Sequence, residues 1–124
     1  MITFDTGALI AIERRDRAML AFMTATLAAG SRITVPSVVI GEWWRGQRGP
    51  AARILDAVHV EAVSGGLAKL AGEALALVGG ATLVDAIVVA SAARRGDLVL
   101  TSDVGDLSRI RDIAFPSVRI RRVG

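Results

Sequence analysis

Apolar residues along the 124-residue chain fall into two alternating kinds of segment. Short β-rich runs at residues 2–4 (ITF), 32–35 (RITV), 59–63 (HVEAV), 98–102 (LVLTS) and 118–123 (VRIRRV) predict five strands. Helical patterns lie between them at residues 7–15, 37–45, 51–57, 67–78 and 83–95, with a final short one at 104–111. Asp5, Pro36 and the Gly49-Pro50 pair stand ahead of the first three, while Gly79-Gly80 and Gly96 close the fourth and fifth. No linker, repeat or low-complexity tract interrupts this order, so residues 1–124 are expected to form a single domain. Strands alternating with helices predict an α/β fold of three layers, with helices on both faces of a central parallel sheet of about five strands.

Composition sharpens this expectation. Apolar residues make up 52% of the chain, which requires either a sheet covered on both faces or apolar surface that meets a partner. The absence of cysteine excludes disulfides and thiolate-bound metals and fits a reducing compartment. Asp5 interrupts the first apolar run with no basic region before it, and no run reaches the roughly 20 residues of a membrane-spanning helix. A cytoplasmic protein without a membrane segment is therefore expected. Fourteen arginines against one lysine give most of the +3 net charge. GC-rich coding also favours Arg, Ala and Gly, so charge alone does not establish nucleic-acid binding.

The acids are more informative. Ligand chemistry in open α/β sheets gathers beyond the carboxyl ends of the strands. Asp5 and Asp103 each end a predicted strand and begin a helix there. Asp85 lies in the first turn of a helix that runs back against the next strand, so it belongs to the same edge. Glu42 sits about 9 Å along its helix from Pro36, at 1.5 Å per residue. Its longer side chain, tilted toward the helix N-terminus, allows it to reach the edge without requiring it to. Asp106 shares a helical face with Asp103. Each acid also has an ordinary structural role: Asp5 and Asp103 as helix caps, Thr82-x-x-Asp85 as a capping box, and Glu42 as a solvated group beside Arg45 or Gln47. Taken together, four or five carboxylates at one edge repel one another, and a divalent cation resolves that conflict. Oxygen-only donors favour magnesium or manganese. The lone histidine, His59, starts a strand, and no second histidine supports a zinc site or a catalytic triad. No glycine-rich phosphate loop is present.

FDTGALIAI, VPSVVIGEW, LVDAIVVASA and LVLTSDVGDL, in this order across the whole chain, resemble a PIN domain, and within that family VapC-type toxins of bacterial toxin–antitoxin pairs. The resemblance implies a PIN-like α/β/α fold and a Mg2+- or Mn2+-dependent endoribonuclease that hydrolyses RNA phosphodiester bonds with metal-activated water. Asp5, Glu42, Asp85 and Asp103 match the family's catalytic and metal-binding quartet, Asp106 a further metal-binding acid, and Thr101 a supporting hydroxyl. A VapB-type antitoxin lying in a groove beside the helices, an RNA substrate and a homodimer are the implied partners.

Arg14, Arg15, Arg45 and Arg48 are candidates for substrate contact, on helices or loops expected near the acidic edge. Trp43 and Trp44 lie about 100° apart on a helix, so one is expected in the core and the other exposed or at an interface. The charged 119–122 segment (RIRR) suits an edge strand protected from edge-to-edge pairing. A receiver domain would place a lysine at the end of its last strand, yet Lys69 lies mid-helix. A haloacid-dehalogenase-type phosphatase would carry a second aspartate where Gly7 stands. The alternative function is a PIN fold that binds RNA or protein without cleavage.

Overall fold

Five strands, β1 (Ile2–Phe4), β2 (Ile33–Pro36), β3 (His59–Glu61), β4 (Leu98–Thr101) and β5 (Arg119–Arg122), form one sheet in the order β3-β2-β1-β4-β5. Every adjacent pair is parallel. The computed structural model describes residues 1–123. Seven helices accompany the strands: α1 (Thr6–Glu13), α2 (Arg17–Ala28), α3 (Ser37–Trp43), α4 (Pro50–Arg53), α5 (Gly65–Leu77), α6 (Leu83–Arg95) and α7 (Gly105–Ala114). The chain steps outward from β1 through β2 to β3, then returns across the sheet to β4 and β5. Right-handed crossovers then place α1 to α4 on one face and α5 to α7 on the other. The packing agrees: α1 meets α2 and α3, whereas α5, α6 and α7 meet one another. The expected three-layer architecture is thus observed.

Coverage on both faces explains the apolar composition. All residues of β1, β2 and β4 are buried, while β3 and β5 form the exposed edges. Arginines at 119, 121 and 122 keep the β5 edge charged, and the Arg121 guanidinium lies 5.8 Å from the Phe22 ring centre. Helix α6 is the most enclosed, with every residue from Ala86 to Ala92 buried between the sheet and its flanking helices. Gly96 ends it in the left-handed conformation, at φ 73°.

A polar network ties the far end of α6 to the sheet. Arg95 Nε donates to Asp97 Oδ2 at 2.9 Å, Nη1 to Glu61 Oε2 at 2.6 Å, and Nη2 to Thr3 Oγ1 and Ser91 Oγ at 2.9 and 2.8 Å. Thr3 Oγ1 in turn donates to Asp97 Oδ2, and Ser91 Oγ to Glu61 Oε1. One guanidinium thus ties the end of α6 to β1 and β3, which are distant from it in sequence.

Helix α2 was not among the predicted elements. Its residues, RAMLAFMTATLA, are apolar or small on nearly every side, so no polar face contrasts with a buried one. The local signal is Asp16, whose Oδ1 accepts the Met19 N–H at 2.9 Å and caps the helix, with Met19 and Met23 buried four residues apart. The helix predicted over 51–57 is instead α4 followed by a separate 3-10 turn, Ile54–Asp56. Strand β3 ends at Glu61, before Ser64 caps α5 by accepting the Leu67 N–H.

Candidate active site

Asp5 follows β1 directly and is the N-cap of α1: Oδ1 accepts the Ala8 N–H at 2.8 Å. Oδ2 accepts from the Thr101 hydroxyl at 2.5 Å. Register explains that contact, because Phe4 pairs with Leu100 and the next residues of the two strands are Asp5 and Thr101. Thr101 Oγ1 also accepts the Asp103 N–H at 3.0 Å and lies 2.8 Å from the Asp103 carbonyl, so one hydroxyl fixes both the first acid and the turn carrying the last. Asp103 does not begin the following helix as expected. Val104 is the N-cap of α7, and Asp103 Oδ1 accepts the Gly105 N–H from outside it.

Glu42, on α3, accepts from the Thr6 hydroxyl through Oε1, which brings it beside the Asp5 turn. Asp85 stands in the first turn of α6, where its N–H donates to Thr82 Oγ1 at 3.2 Å, so the threonine half of the capping box is made. Asp106 is exposed and paired with Arg109 at 3.0 Å, and Arg109 also donates to the Gly79 carbonyl.

The electrostatics show how these acids bear on one another. Asp5 is only 8% exposed, and burial is the main cause that lifts its pKa to about 6. The Thr101 hydroxyl and Ala8 N–H oppose that shift, while the charges of Asp85 and Asp103 add to it. Asp85 is also raised, first by burial, against the Thr82 hydroxyl and with the charges of Asp106, Glu42 and Asp103. Five carboxylates from separate parts of the chain thus share one field. As arranged, no three Asp, Glu or His side chains among the described residues are close enough to hold a single ion. The donor chemistry still suits a hard cation: the groups are oxygen-only, and two are raised chiefly by burial, with neighbouring negative charge that a divalent ion would offset adding to the shift.

Gly7 is needed for this turn to close. A Cβ at position 7 would lie 2.3 Å from Ser102 Oγ, 3.1 Å from Ser102 N and 3.3 Å from Asp5 Oδ1. Gly7→Ala is expected to cost roughly 1–3 kcal/mol, by overpacking. Ser102→Gly in the same chain should recover part of the lost melting temperature, since the hydroxyl is the nearest obstacle.

The family model for the PIN domain matches residues 2–113, a span that contains every one of these acids. The chain belongs to the PIN domain family. No curated protein matches the sequence. Solved structures share the fold of this PIN domain. VapBC2 from Rickettsia felis, bound to a DNA fragment from its promoter, aligns at a TM-score of 0.72 and 16% identity over 100% of both chains. VapC20 from Mycobacterium tuberculosis, a Sarcin-Ricin loop cleaving toxin, aligns at 0.66 and 24% over 87% of this chain and 93% of its own. DNA-bound VapBC from Salmonella typhimurium aligns at 0.72 and 19% over 98% and 96%.

The candidate arginines of the PIN domain are dispersed. Arg45 folds back on its own helix, donating to the Gly41 and Trp44 carbonyls at 3.3 and 2.6 Å. Arg15 and Arg48 line a groove between α1, α2 and α4, and Arg14 lines a separate cavity beside Gly7 and Ser102. Sequence reasoning missed Thr6 and Arg109. Both had a signal: Thr6 follows Asp5 directly, and Arg109 is three residues from Asp106 on one helix. Trp43 is the core member of its pair, donating from Nε1 to Glu13 Oε1 at 3.2 Å, and Trp44 is exposed. His59 is exposed on the β3 edge. No helix among the described residues is long and apolar enough to cross a membrane.

Proposed function

We propose that this PIN domain is a metal-dependent endoribonuclease and the toxin of a toxin–antitoxin pair. What supports this reading is that Asp5 and Asp85, both raised above their ordinary pKa mainly by burial, also feel the charges of Asp103 and, for Asp85, Glu42, acids that come from four separate stretches of the chain. The kinship of fold with VapC20, a Sarcin-Ricin loop cleaving toxin, supports it.

The quartet would hold Mg2+ or Mn2+, with Asp106 joining when its carboxylate leaves Arg109. When bound, such an ion supplies Lewis acidity toward phosphoryl oxygens and acidifies water. The chain's own residues set the stage for that chemistry. Thr101 and the Ala8 N–H fix the two oxygens of Asp5, and Thr6 orients Glu42. A carboxylate of the group that is not engaged by the ion would serve as the base toward water.

A VapB-type antitoxin is the partner on this reading, because the fold relatives include VapBC assemblies. The groove of about 520 Å3 between α1, α2 and α4 suits one of its segments. Ile12, Leu20, Met23 and Ile54 give it apolar lining, and Arg48 and Arg53 are placed to meet carboxylates.

Incubation of partner-free protein with total RNA tests the activity. Cutting at discrete sites is expected with magnesium or manganese and not with EDTA. Asp85→Asn should slow it by about 10²-fold or more, as loss of a preorganised charge at a reacting centre does. RNA bound but left intact by the folded wild-type protein in either metal would identify a non-cleaving PIN module instead.

A further inference from the structure

One cavity beside the acids has no role in the chemistry above. It measures about 340 Å3 and is lined by Gly7, Ile10, Arg14, Ser102, Arg122 and Val123, with Ala11 and Asp16 completing it. Its position ties it to the acidic edge. Gly7 comes two residues after Asp5, Ser102 lies between Thr101 and Asp103, and Arg122 pairs in register with Thr101. Its charge is the reverse of that edge. Arg14 and Arg122 face a single carboxylate, Asp16, whose Oδ1 is already engaged by the Met19 N–H. Among the described residues neither arginine is ion-paired, and Ser102 adds a hydroxyl.

A polyanion brought to five carboxylates is repelled wherever its charge is not matched, so its flanking phosphates need cations close by. The cavity supplies two, and Ile10 and Val123 add apolar surface to its lining. Its volume is at the small end of ligand sites, about 300–1,000 Å3, which suits one unpaired nucleotide and not a duplex.

We propose that this cavity is a subsite for the nucleotide adjoining the scissile phosphate of single-stranded RNA, with Arg14, Arg122 and Ser102 holding its phosphate and Ile10 and Val123 its ribose and base. The inference rests on the nuclease reading and adds Arg122 to the substrate-contacting residues.

The test compares the wild-type chain with Arg14→Ala/Arg122→Ala and Arg14→Lys/Arg122→Lys, all checked for unchanged thermal unfolding, on a single-stranded RNA oligonucleotide. Binding is measured by fluorescence anisotropy in EDTA, and cleavage in magnesium. The alanine pair is expected to raise Kd and KM by about tenfold and to leave kcat within about threefold. It should also flatten the slope of log K against log salt by about 1.4, at 0.7 per lost single-strand phosphate contact. The lysine pair should restore the salt slope, because the charge is retained. Wild-type cleavage with KM and salt slope unchanged in the alanine pair would overturn the subsite and leave the nuclease standing. Arginine-dependent binding without any wild-type cleavage in metal would overturn the nuclease and leave an RNA-binding cavity. A wild-type chain that neither binds nor cuts single-stranded RNA would overturn both.

Discussion

Asp5→Asn is expected to abolish RNA cleavage and, in EDTA at neutral pH, to raise the thermal stability of the protein. The two effects share one cause. Asp5 is held at a pKa of about 6, against 3.8 for an ordinary aspartate, mainly because it is buried. The folded state therefore binds a proton between these values that the unfolded chain has released. The sign follows: stability from Asp5 is fully present below about pH 4 and is lost as pH rises through about 6. The difference between 3.8 and about 6 corresponds to roughly 3 kcal/mol. Asparagine never ionises and so escapes that loss. It keeps the Oδ1 acceptor used by the Ala8 N–H, and its amide can donate to Thr101 Oγ1, which then donates to the Asp103 carbonyl. Thermal unfolding at pH 8 should show the variant melting higher by at most roughly 10 °C, with little difference at pH 4. A variant less stable than wild type at pH 8 would show that the Thr101 contact outweighs burial.

The second large effect concerns the opposite end of α6. Arg95→Met leaves Asp97, whose side chain is 2% exposed, without its guanidinium, and frees Glu61, Ser91 and Thr3 from the same group. Breaking a buried ion pair from one side costs about 3–5 kcal/mol, because the remaining charge is stranded. The lower figure suits Arg95, which is itself 24% exposed, and lowers the melting temperature by roughly 10 °C for a domain of this size. Asp97→Asn and Glu61→Gln added to Arg95→Met should recover part of the loss by removing the stranded charges. Asp85 lies ten residues away on the same helix, about 15 Å at 1.5 Å per residue. The Arg95→Met protein should therefore cleave RNA at a near-normal rate well below its melting temperature. A fall in kcat there, with the fold intact, would mean that the network also sets the position of Asp85.

What could be read from the sequence follows from how local each signal is. Strands β1, β2 and β4 declare themselves because they are buried on both faces and so are short runs of apolar and β-branched residues without a charge. Asp5 and Asp85 are placed by their own elements, one at a strand end and one in a first helical turn, so chain order alone sends them to the same edge. Glu42 is different: its approach depends on the packing of α3 against α1 and on a hydroxyl 36 residues away, for which the sequence offers permission but no requirement. Helix α2 is not legible in the pattern because an all-round apolar helix has no period. The arginines were the least legible. Where a long cationic side chain settles is decided by acceptors it meets after folding, as Arg45 shows by returning to its own helix carbonyls and Arg95 by crossing to β1 and β3.

The sheet order has a consequence in time. Asp5 meets Thr101 across β1 and β4, strands that are neighbours in space but nearly a hundred residues apart along the chain. A growing polypeptide thus carries its first acid for almost the whole of its synthesis before the partner strand exists. Closing a loop of that length costs chain entropy before the contact repays it. Until β4 is made, the Asp5 carboxylate lacks the Thr101 hydroxyl that fixes one of its two oxygens.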